Sequence, residues 1–550
     1  MTCTTFGGRQ LSWLLLAACL VALPASAQTA DENFGAVLAE LREASFADKE
    51  SIAERLIATG HNSARPVLTA LLDDRLFVKA DQQIVIARSA EETLTSYELI
   101  DPVTLEPAGS SPSDQLTKIG TNNRLRRFLR NTIARFALAS PDADVRLGAV
   151  KELLRSLDPS AAELLRQRKD QESDQRVRHE IDTALAMAAL DEGDPAARLA
   201  AVGTLSSRLS AEVRNRLAAL VVRADDGTFA ESDEGVRSAA AAAIESIDTK
   251  RSLYSGVETL FFGLSLGSVL VLVAIGLAIT FGVMGVINMA HGELMMLGAY
   301  TTYVVQTLMP GHIESSVLVA IPAAFLVAGL TGVLIERTII RFLYGRPLET
   351  LLATFGVSLV LQQLVRSVFS ANNRSVVTPS WMSGTLQIND ALAITYNRLY
   401  IVLFTVIVFG ILLAVLKRTR LGLDIRAVSQ NRAMARAMGI RSEWVDAMTF
   451  GLGAGIAGVA GVALSQLTNV GPNLGQSYII DSFMVVVFGG VGNLWGTFIG
   501  GVSLGVINKL LEPYAGAVLG KIFVLVALIL FIQRRPRGLF PQTGRAAEAA

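Results

Sequence analysis

Hydrophobic and polar positions divide the chain into two unlike halves. Up to about residue 250, apolar residues recur at three- and four-residue steps among dense, mixed charges, which predicts amphipathic helices around a buried face. After that point, apolar runs of membrane length alternate with short, mostly basic stretches, which predicts transmembrane helices. The predicted spans are 257–281, 292–308, 316–338, 349–369, 399–416, 443–468, 481–492, 494–511 and 519–533. We therefore expect an all-α protein in which an exported helical domain precedes a membrane bundle of about eight or nine spans.

The first residues have the pattern of an export signal. Arg9 precedes an apolar core from Leu11 to Leu23, and Ala25-Ser26-Ala27 has the small-residue form that a signal peptidase accepts. The alternative is an uncleaved membrane anchor, which would leave the following segment on the same outer side. We predict a cleaved signal over residues 1–27, a periplasmic domain over 28–250 and a membrane domain over 251–550.

A short motif repeats along the exported half. An aspartate is followed four residues later by an arginine at the start of each Ala/Leu-rich segment, at Asp142/Arg146, Asp174/Arg178, Asp194/Arg198 and Asp233/Arg237. The aspartate can cap free backbone amides, and the apolar residues that follow form one buried face. The pattern resembles HEAT-type helical repeats over about residues 35–75 and 125–250. Two roles stay open for this half: docking of a soluble binding protein, or that of a stable helical appendage.

Between these repeats the sequence changes character. The segments Gln83–Ala87 and Tyr97–Ile100 are short, apolar and rich in β-branched or aromatic residues. Such segments bounded by turn residues favour strands. We therefore predict a small β-hairpin insert in the helical domain.

Basic residues in the membrane half predict its orientation. Three basic loops are placed in the cytoplasm by the positive-inside bias: Arg337, Arg341 and Arg346; the cluster from Lys417 to Arg441; and Arg534, Arg535 and Arg537. With residue 250 outside and the end of the last span inside, the number of crossings is odd, and nine fits. The segment 481–492 is too short to cross alone and is broken by glycines, which predicts a discontinuous helix whose backbone faces a cavity.

The stretch Ile287–Leu294 places three polar side chains between two apolar spans. Asn288 is suited to cap the helix that follows, which puts His291 in its first turn and Glu293 on another face. Polar groups at membrane depth indicate a transport pathway. The alternative is that Asn288 only caps a helix and that Glu293 only neutralises a nearby arginine. No metal site is expected, because the four histidines are scattered and both cysteines lie in the signal.

The longest predicted cytoplasmic loop, residues 417–442, has the pattern of two short helices. Gly422 permits a turn, Asn431 can cap the second helix, and Gly439 is typical of the position just past a helix end. An amphipathic helix at the cytoplasmic surface can lie on anionic lipid or insert into a groove of another protein. The small Ala/Met face of this loop favours a protein groove.

Four of these sequence features together resemble a known family. The run Gly276–Tyr300, the loop Gly422–Gly439, the break Gly489–Asn493 and the ending Arg535–Pro541 are similar to those of branched-chain amino-acid (LivH-type) permeases of ABC importers, over residues 257–541. The resemblance implies a multi-pass permease subunit of the bacterial inner membrane, with no cofactor. It implies as partners a second homologous permease, cytoplasmic ATPase subunits and a periplasmic solute-binding protein. It assigns ATPase coupling to the 417–442 loop, with the candidate residues Gly422, Arg426, Gln430, Asn431, Arg432 and Gly439.

A long exported domain ahead of such a permease resembles the urea-importer branch of the family. Urea is small, neutral and planar, so its path needs amide, hydroxyl or backbone partners and no fixed counter-charge. We take urea as the preferred solute, followed by branched-chain amino acids or short amides. The candidate residues along the path are Asn288, His291, Glu293, Thr354, Gln362, Gly489, Gly490, Gly492 and Asn493.

The sequence has no complete motif for ATP hydrolysis and no pattern of an enzyme site. The segment Ala515–Ile522 approaches a phosphate-binding loop but lacks its first glycine and its final Ser or Thr, so ATP hydrolysis would come from a separate subunit. No nucleophile or paired-carboxylate set indicates an enzyme site, and the net charge of zero indicates no nucleic-acid partner. The main alternative is a passive or proton-coupled channel or carrier for urea or amides. Such a protein does not need the coupling loop, so substitution at Gly422 or Gly439 distinguishes the two.

Overall fold

The computed structural model describes residues 25–88, 96–155, 157–223 and 229–540. The predicted export signal, residues 1–27, lies outside these ranges except for its last three residues. Contacts within the chain define two compact units, Met1–Ile247 and Asp248–Ala550. The division falls inside one helix, Glu234–Met284.

Short helices make up most of the first unit. They are α1 (Ala25–Ala39), α2 (Phe46–Ala58), α3 (Ala64–Leu72), α4 (Asn123–Leu138), α5 (Ala143–Arg155), α6 (Pro159–Lys169), α7 (Gln175–Ala189), α8 (Pro195–Leu205) and α9 (Ala211–Val221), followed by the start of α10 (Glu234–Met284). Their apolar faces form two cores, one shared by α1 to α4 and one that extends from α4 to α10. Since helices this short are marginal alone, packing against sequence neighbours supplies most of their stability.

The repeated Asp and Arg motif has a common structure at its four sites. Each aspartate accepts hydrogen bonds from nearby backbone amides, as Asp174 Oδ1 does from Arg176 N at 2.8 Å. Each arginine turns back to carbonyl oxygens five or six residues earlier in the chain. Arg146 donates to Ser140 O and Pro141 O, Arg178 to Glu172 O, Arg198 to Glu192 O and Gly193 O, and Arg237 to Glu231 O and Ser232 O. The arginines thus fix the loops that precede their helices.

Two of these arginines also form ion pairs with a glutamate from a later loop, one pair buried and the other partly buried. Arg146 donates from Nε and Nη2 to Glu172 at 2.9 and 2.8 Å, and Arg198 donates to Glu231 at 2.8 Å through both atoms. The hydrogen bonds from Arg146 lower the pKa of Glu172 to about 2, and those from Arg198 lower the pKa of Glu231. Both carboxylates are therefore ionised at neutral pH and tie successive repeats together.

The β-structure of the first unit is larger than the predicted hairpin. Strands β1 (Leu76–Lys79), β2 (Ile84–Ala87), β3 (Ser96–Ile100), β4 (Pro107–Pro112) and β5 (Leu116–Lys118) form one antiparallel sheet in the order β4-β3-β2-β1-β5. The predicted pairing of β2 with β3 is present, with Ile86 opposite Ile100. The prediction of a hairpin alone was wrong, because β4 and β5 have few residues typical of strands. They lie at the two edges, where pairing with one neighbour is enough.

Long apolar helices make up most of the second unit. After α10 come α11 (His291–Leu308), α12 (Ile313–Thr338), α13 (Pro347–Phe369), α14 (Tyr396–Arg418), α15 (Arg420–Gln430), α16 (Arg432–Ala437), α17 (Ser442–Ser465), α18 (Leu474–Gly489) and α19 (Leu494–Arg534). Among the described residues, the 6 helices long and apolar enough to cross a membrane are α10, α12, α13, α14, α17 and α19. An unpredicted two-stranded hairpin, β6 (Thr385–Asn389) and β7 (Leu392–Thr395), lies between α13 and α14.

Three predicted spans differ from the helices that correspond to them. The short span 481–492 corresponds to α18, which begins earlier, at Leu474, and ends at Gly489. Gly516, with a φ of 75°, divides α19 into two arms close to where the last two predicted spans separate. The total number of crossings stays a prediction.

Glycines let the membrane helices approach to backbone distance. Nearly all of α17 is buried. A Cβ on Gly298 of α11 would overlap the backbone of Gly458 in α17, and a Cβ on Gly461 would overlap Met295 O. Lipid tails are as apolar as leucine, so close backbone contact supplies the association that the hydrophobic effect does not supply between helices in a membrane.

Candidate transport site and coupling loop

Four polar residues of α13 form a stripe along one face of the helix. Thr350, Thr354, Ser358 and Gln362 follow one another at four-residue steps, so they share one side of a mainly apolar segment. All four are buried, with at most 4% of each residue exposed. Burial of hydroxyl and amide groups is unfavourable unless they find hydrogen-bond partners. The stripe is therefore expected to face other polar groups.

Glu293, in the first turn of α11, is the partner of this stripe. Gln362 Nε2 donates to Glu293 Oε1 at 2.7 Å, and Ser358 Oγ donates to the same oxygen at 3.1 Å. The carboxylate is buried, and its second oxygen, Oε2, has no hydrogen-bond partner among the described residues. Among the described residues Glu293 forms no ion pair with an arginine, although the guanidinium of Arg366 on α13 interacts with the carboxylate electrostatically.

A break between α10 and α11 brings the backbone to the same stripe. Met289 N donates to Thr354 Oγ1 at 3.1 Å, and Thr354 Oγ1 lies 3.3 Å from Ile287 O. Asn288 does not cap α11 as predicted: its Oδ1 accepts from Ala290 N at 3.0 Å, and Ala290 occupies the N-cap position. The reason is local, because a short amide side chain can bond its own backbone two residues on and so leave the cap unfilled.

His291 contacts α10 and does not face Glu293. It is the first residue of α11 and is fully buried. Its Nε2 lies 3.0 Å from Val273 O, beside Gly276, where a Cβ would come within 2.9 Å of the ring. The imidazole and the carboxylate thus contact different helices, as their spacing predicted. This placement favours a packing role for the imidazole.

Several buried polar atoms of this region lack a partner in the described part of the chain. They are Asn288 Nδ2, His291 Nδ1, Glu293 Oε2 and Tyr300 Oη. Buried polar side chains are nearly always hydrogen-bonded, so such a group of exceptions needs an explanation. Both donors and acceptors are represented, which is the chemistry needed to hold a small polar solute. We call Asn288, Glu293, Thr354, Ser358 and Gln362 the polar cluster.

The glycine turn after α18 is covered by the chain's own later residues. Leu539 N donates to Phe488 O at 2.9 Å, and Phe540 N donates to Gly489 O at 3.2 Å. We call Arg535–Phe540 the C-terminal clamp. It satisfies backbone carbonyls that the end of α18 would otherwise leave free.

The C-terminal clamp changes the role of the four predicted path residues in this turn. Gly490 and Gly492 have φ values of 105° and 78°, which glycine adopts readily, and a Cβ on Gly490 would lie 2.6 Å from Phe540 O. Asn493 caps α19 by accepting from Gly496 N at 3.1 Å. The turn therefore faces protein, and the cavity-facing backbone predicted for this break is not seen.

The predicted path residues thus fall into two groups. Gly475, near the start of α18, packs against the backbone of Gly292, next to Glu293. The turn at Gly489 lies fourteen residues further along the same helix, or about 21 Å at 1.5 Å per residue. The structure brings Asn288, Glu293, Thr354 and Gln362 to one place, turns His291 toward α10, and places Gly489, Gly490, Gly492 and Asn493 elsewhere.

The predicted coupling loop folds into the two short helices α15 and α16. Thr419 caps α15 by accepting from Gly422 N at 3.3 Å, and Asn431 caps α16 by accepting from Met434 N at 2.9 Å. Gly439, with a φ of 87°, follows α16 as predicted for a residue past a helix end. Gly422 does not form a turn; it lies inside α15, where a Cβ would overlap the backbone of α14.

Arginine side chains fix this loop to the membrane helices. Arg432 donates from Nη1 and Nη2 to the two oxygens of Asp446 in α17, at 2.8 and 2.6 Å. Its guanidinium also lies 3.9 Å from the ring centre of Tyr344. Arg426 donates to Leu416 O at the end of α14. The loop is thus attached to α17, to α14 and to the loop after α12.

The outer surface of the loop carries three large apolar side chains among polar ones. Leu423, Met434 and Met438 are 59%, 60% and 77% exposed, and Gln430 is exposed at the end of α15. Large apolar side chains held on a fixed base are typical of a surface that fits a partner's groove.

The second unit matches known transport proteins. The family model described as branched-chain amino acid transport system, permease component, matches residues 259–532. The high-affinity branched-chain amino acid transport system permease protein BraD of Pseudomonas aeruginosa is 31% identical over 297 residues, which are 52% of this chain and 96% of that protein. The LivH protein of the same description from Salmonella typhimurium is 32% identical over 294 residues, 52% of this chain and 94% of that protein. The chain belongs to this permease family.

A more distant relative has a different printed function. The ribose import permease protein RbsC of Escherichia coli is 27% identical to this permease over 293 residues, 50% of the chain and 85% of that protein. No solved structure matches the permease significantly. The relatives are transport subunits, so this permease is a transport subunit and not an enzyme.

Some residues of this permease were missed by sequence reasoning. Ser358 could have been found, because it lies midway between Thr354 and Gln362 in the four-residue stripe. Asp481 of α18 and Lys521 of α19 form an ion pair at 2.9 Å inside apolar segments. An isolated charge in such a segment is itself a functional signal. The spacing of residues did not reveal that they pair, because they are forty positions apart.

Proposed function

We propose that this chain is the permease subunit of an ABC importer that moves a small polar solute inward across the bacterial inner membrane. A separate cytoplasmic ATPase would drive it through the 417–442 loop. A second homologous permease and a periplasmic solute-binding protein would complete the importer, with residues 28–250 in the periplasm. The observation that carries the proposal is the exposed apolar surface of Leu423, Met434 and Met438 on a loop that side chains fix to the membrane helices.

The contacts of α17 offer a route from this loop to the polar cluster. Asp446 of α17 holds the loop through Arg432. The same helix packs on α11 at backbone distance through Gly458 and Gly298. Because no flexible side chain separates the two helices there, a displacement of α17 is passed directly to the helix that carries Glu293.

For the solute, we propose urea first, then branched-chain amino acids and short amides. Urea has N–H donors for Glu293 Oε2 and a carbonyl acceptor for Asn288 Nδ2, both of which lack partners in the described residues. An amino acid also has a carboxylate, which needs a positively charged side chain as its partner when it is buried. The guanidinium further along α13, Arg366, already donates to Asn473 Oδ1 at 2.7 Å. The names of the relatives favour amino acids, and the extra first unit favours the urea branch.

Reconstitution tests the importer. The full chain is placed in proteoliposomes with a candidate second permease and ATPase, a binding protein is added outside, and uptake of labelled urea and leucine is measured with and without ATP. We expect accumulation of urea only with ATP. Accumulation of leucine but not urea would overturn the choice of solute, and downhill flux through the chain alone would overturn the importer.

Substitution of Gly422 tests the coupling loop. A Cβ there overlaps the backbone of Leu416, so Gly422→Ala must shift α15 away from α14, and we expect ATP-driven uptake to fall at least about tenfold. Gly410→Ala is the matched control, because no atom lies within 4 Å of a Cβ at that position of α14. Unchanged ATP-driven uptake by Gly422→Ala would show that the loop does not transmit force.

A proton-coupled carrier is the second candidate function. It is favoured by the buried carboxylate of Glu293, whose Oε2 has no partner in the described residues. This candidate predicts that an imposed pH gradient drives uptake into liposomes that contain only the permease. Uptake that depends on ATP and ignores the pH gradient would exclude it.

A further inference from the structure

A basic recess lies at the end of the second unit that carries the basic loops, between the end of α12 and the start of α17. It encloses about 740 Å³. Its lining includes the guanidinium groups of Arg337, Arg436 and Arg441, one carboxylate, Glu443, and the indole of Trp444. Positive groups therefore outnumber negative ones in the lining.

In the described part of the chain, these guanidinium groups keep N–H donors that form no hydrogen bond. Arg436 donates from Nε to Ser442 Oγ at 2.7 Å, and its two terminal nitrogens do not take part in this hydrogen bond. Arg337 Nε is 3.7 Å from the carboxylate of its neighbour Glu336, too far for a good hydrogen bond. The Arg441 side chain has no hydrogen bond or ion pair among the described residues. Guanidinium donors without partners are suited to an oxyanion.

The surroundings place the recess at the level of lipid headgroups. Phe342, Tyr344 and Trp444 are 67%, 44% and 57% exposed near this end of the membrane helices. Exposed aromatic residues at helix ends mark the membrane–water interface. On α12, Leu330 and Leu334 are also exposed in the two turns before Arg337, so an apolar strip leads away from the recess.

We propose that this recess binds the phosphate headgroup of an acidic phospholipid, with the acyl chains along the exposed face of α12. A phospholipid combines an oxyanion with two apolar chains, and the site combines arginines with an apolar strip at the right depth. The lipid site is separate from the polar cluster. Since Arg436 and Gly439 belong to the coupling loop, the bound lipid supports that loop from the membrane side.

Lipid titration of the purified full chain, followed by native mass spectrometry, tests the proposal. The probes are phosphatidylglycerol, phosphatidylcholine with the same acyl chains, and glycerol phosphate as a source of phosphate without a lipid. We expect the wild type to prefer phosphatidylglycerol and the double variant Arg337→Gln/Arg441→Gln to bind it about 25-fold more weakly. Binding of phosphatidylcholine should not change. Arg534→Gln/Arg535→Gln, in another basic segment, is the matched control and should bind as the wild type does.

A second variant keeps the test decisive if the double variant does not fold. Glu443→Gln removes the carboxylate that the described residues contribute to the lining and should tighten phosphatidylglycerol binding several-fold. Equal affinity of the double variant and its control, or glycerol phosphate binding as tight as that of the lipid, would overturn the proposal. It would also be overturned if the double variant bound lipid normally but lost its ATPase partner in phosphatidylcholine nanodiscs, because the recess would then be a protein contact.

Discussion

Removal of the carboxylate of Asp446 should release the coupling loop from the membrane helices. Asp446→Asn keeps the size of a side chain that is 7% exposed, but it takes away the charge that the guanidinium of Arg432 contacts. The arginine then keeps one neutral acceptor and the ring of Tyr344. The loop should open more often, although its two helices keep their own caps.

The size of this effect follows from the geometry of the pair. Loss of one partner of a fully buried ion pair costs about 3–5 kcal/mol. Here the Arg432 side chain is 18% exposed, and the contact with Tyr344 persists, so we expect about 2–3 kcal/mol. That corresponds to an opening equilibrium about 30- to 140-fold more favourable.

Amide hydrogen exchange on the full chain in nanodiscs measures this opening. Peptides that cover residues 432–440 should exchange faster by that factor, and ATP-driven uptake should fall with it. Arg420→Gln, an exposed arginine on the same loop, is the control and should change neither quantity. Exchange within about threefold of the wild type would refute the idea that this ion pair holds the loop.

Two further predictions concern the polar cluster and the first unit. Glu293→Gln should lower ATP-driven uptake at least about tenfold, because it replaces one carboxylate oxygen by an N–H donor. Glu349→Gln, at an exposed position, is the control and should leave uptake unchanged. Equal uptake by the two variants would contradict a role of Glu293 in the path. Since the folded-state pKa of Glu172 is lowered to about 2, its stabilisation of the first unit is complete above the unfolded value of about 4.5 and is lost as the pH falls toward 2. Amide hydrogen exchange near Arg146, corrected for intrinsic rates, should therefore become faster as the pH falls from 4.5 toward 2. In Glu172→Gln this dependence of the exchange rate on pH should disappear. An unchanged pH dependence in that variant would contradict the assigned role of the Glu172 carboxylate.

Features that depend on local rules were predictable from the sequence. The capping by Asn431 and the left-handed Gly439 follow from nearest neighbours alone, and both are present. The Asp and Arg repeats also predicted the helices that follow them, because in each repeat a capping aspartate precedes apolar residues at helical spacing. The helix positions in the membrane half follow from long apolar runs, although span 481–492 was placed too late in the chain.

Features that depend on distant contacts were not predictable. The spacing of His291 and Glu293 shows that they face different sides, but not that Ser358 and Gln362 stand opposite the carboxylate. Asn288 was misassigned because an Asx turn and a helix cap have the same residue preferences. The edge strand β4 lacks strand-forming residues and gains its conformation from β3.

The C-terminal clamp makes the maturation of this permease depend on residues synthesised after the helices they join. While the ribosome has not yet delivered residues 535–540, the carbonyls of Phe488 and Gly489 lack the amides of Leu539 and Phe540. The hairpin of α18 and α19 therefore stays unfinished until that tail arrives. A chain truncated after Arg534 would leave both carbonyls without these amides, so we expect the end of this hairpin to open more often and to be cut more readily by an added protease.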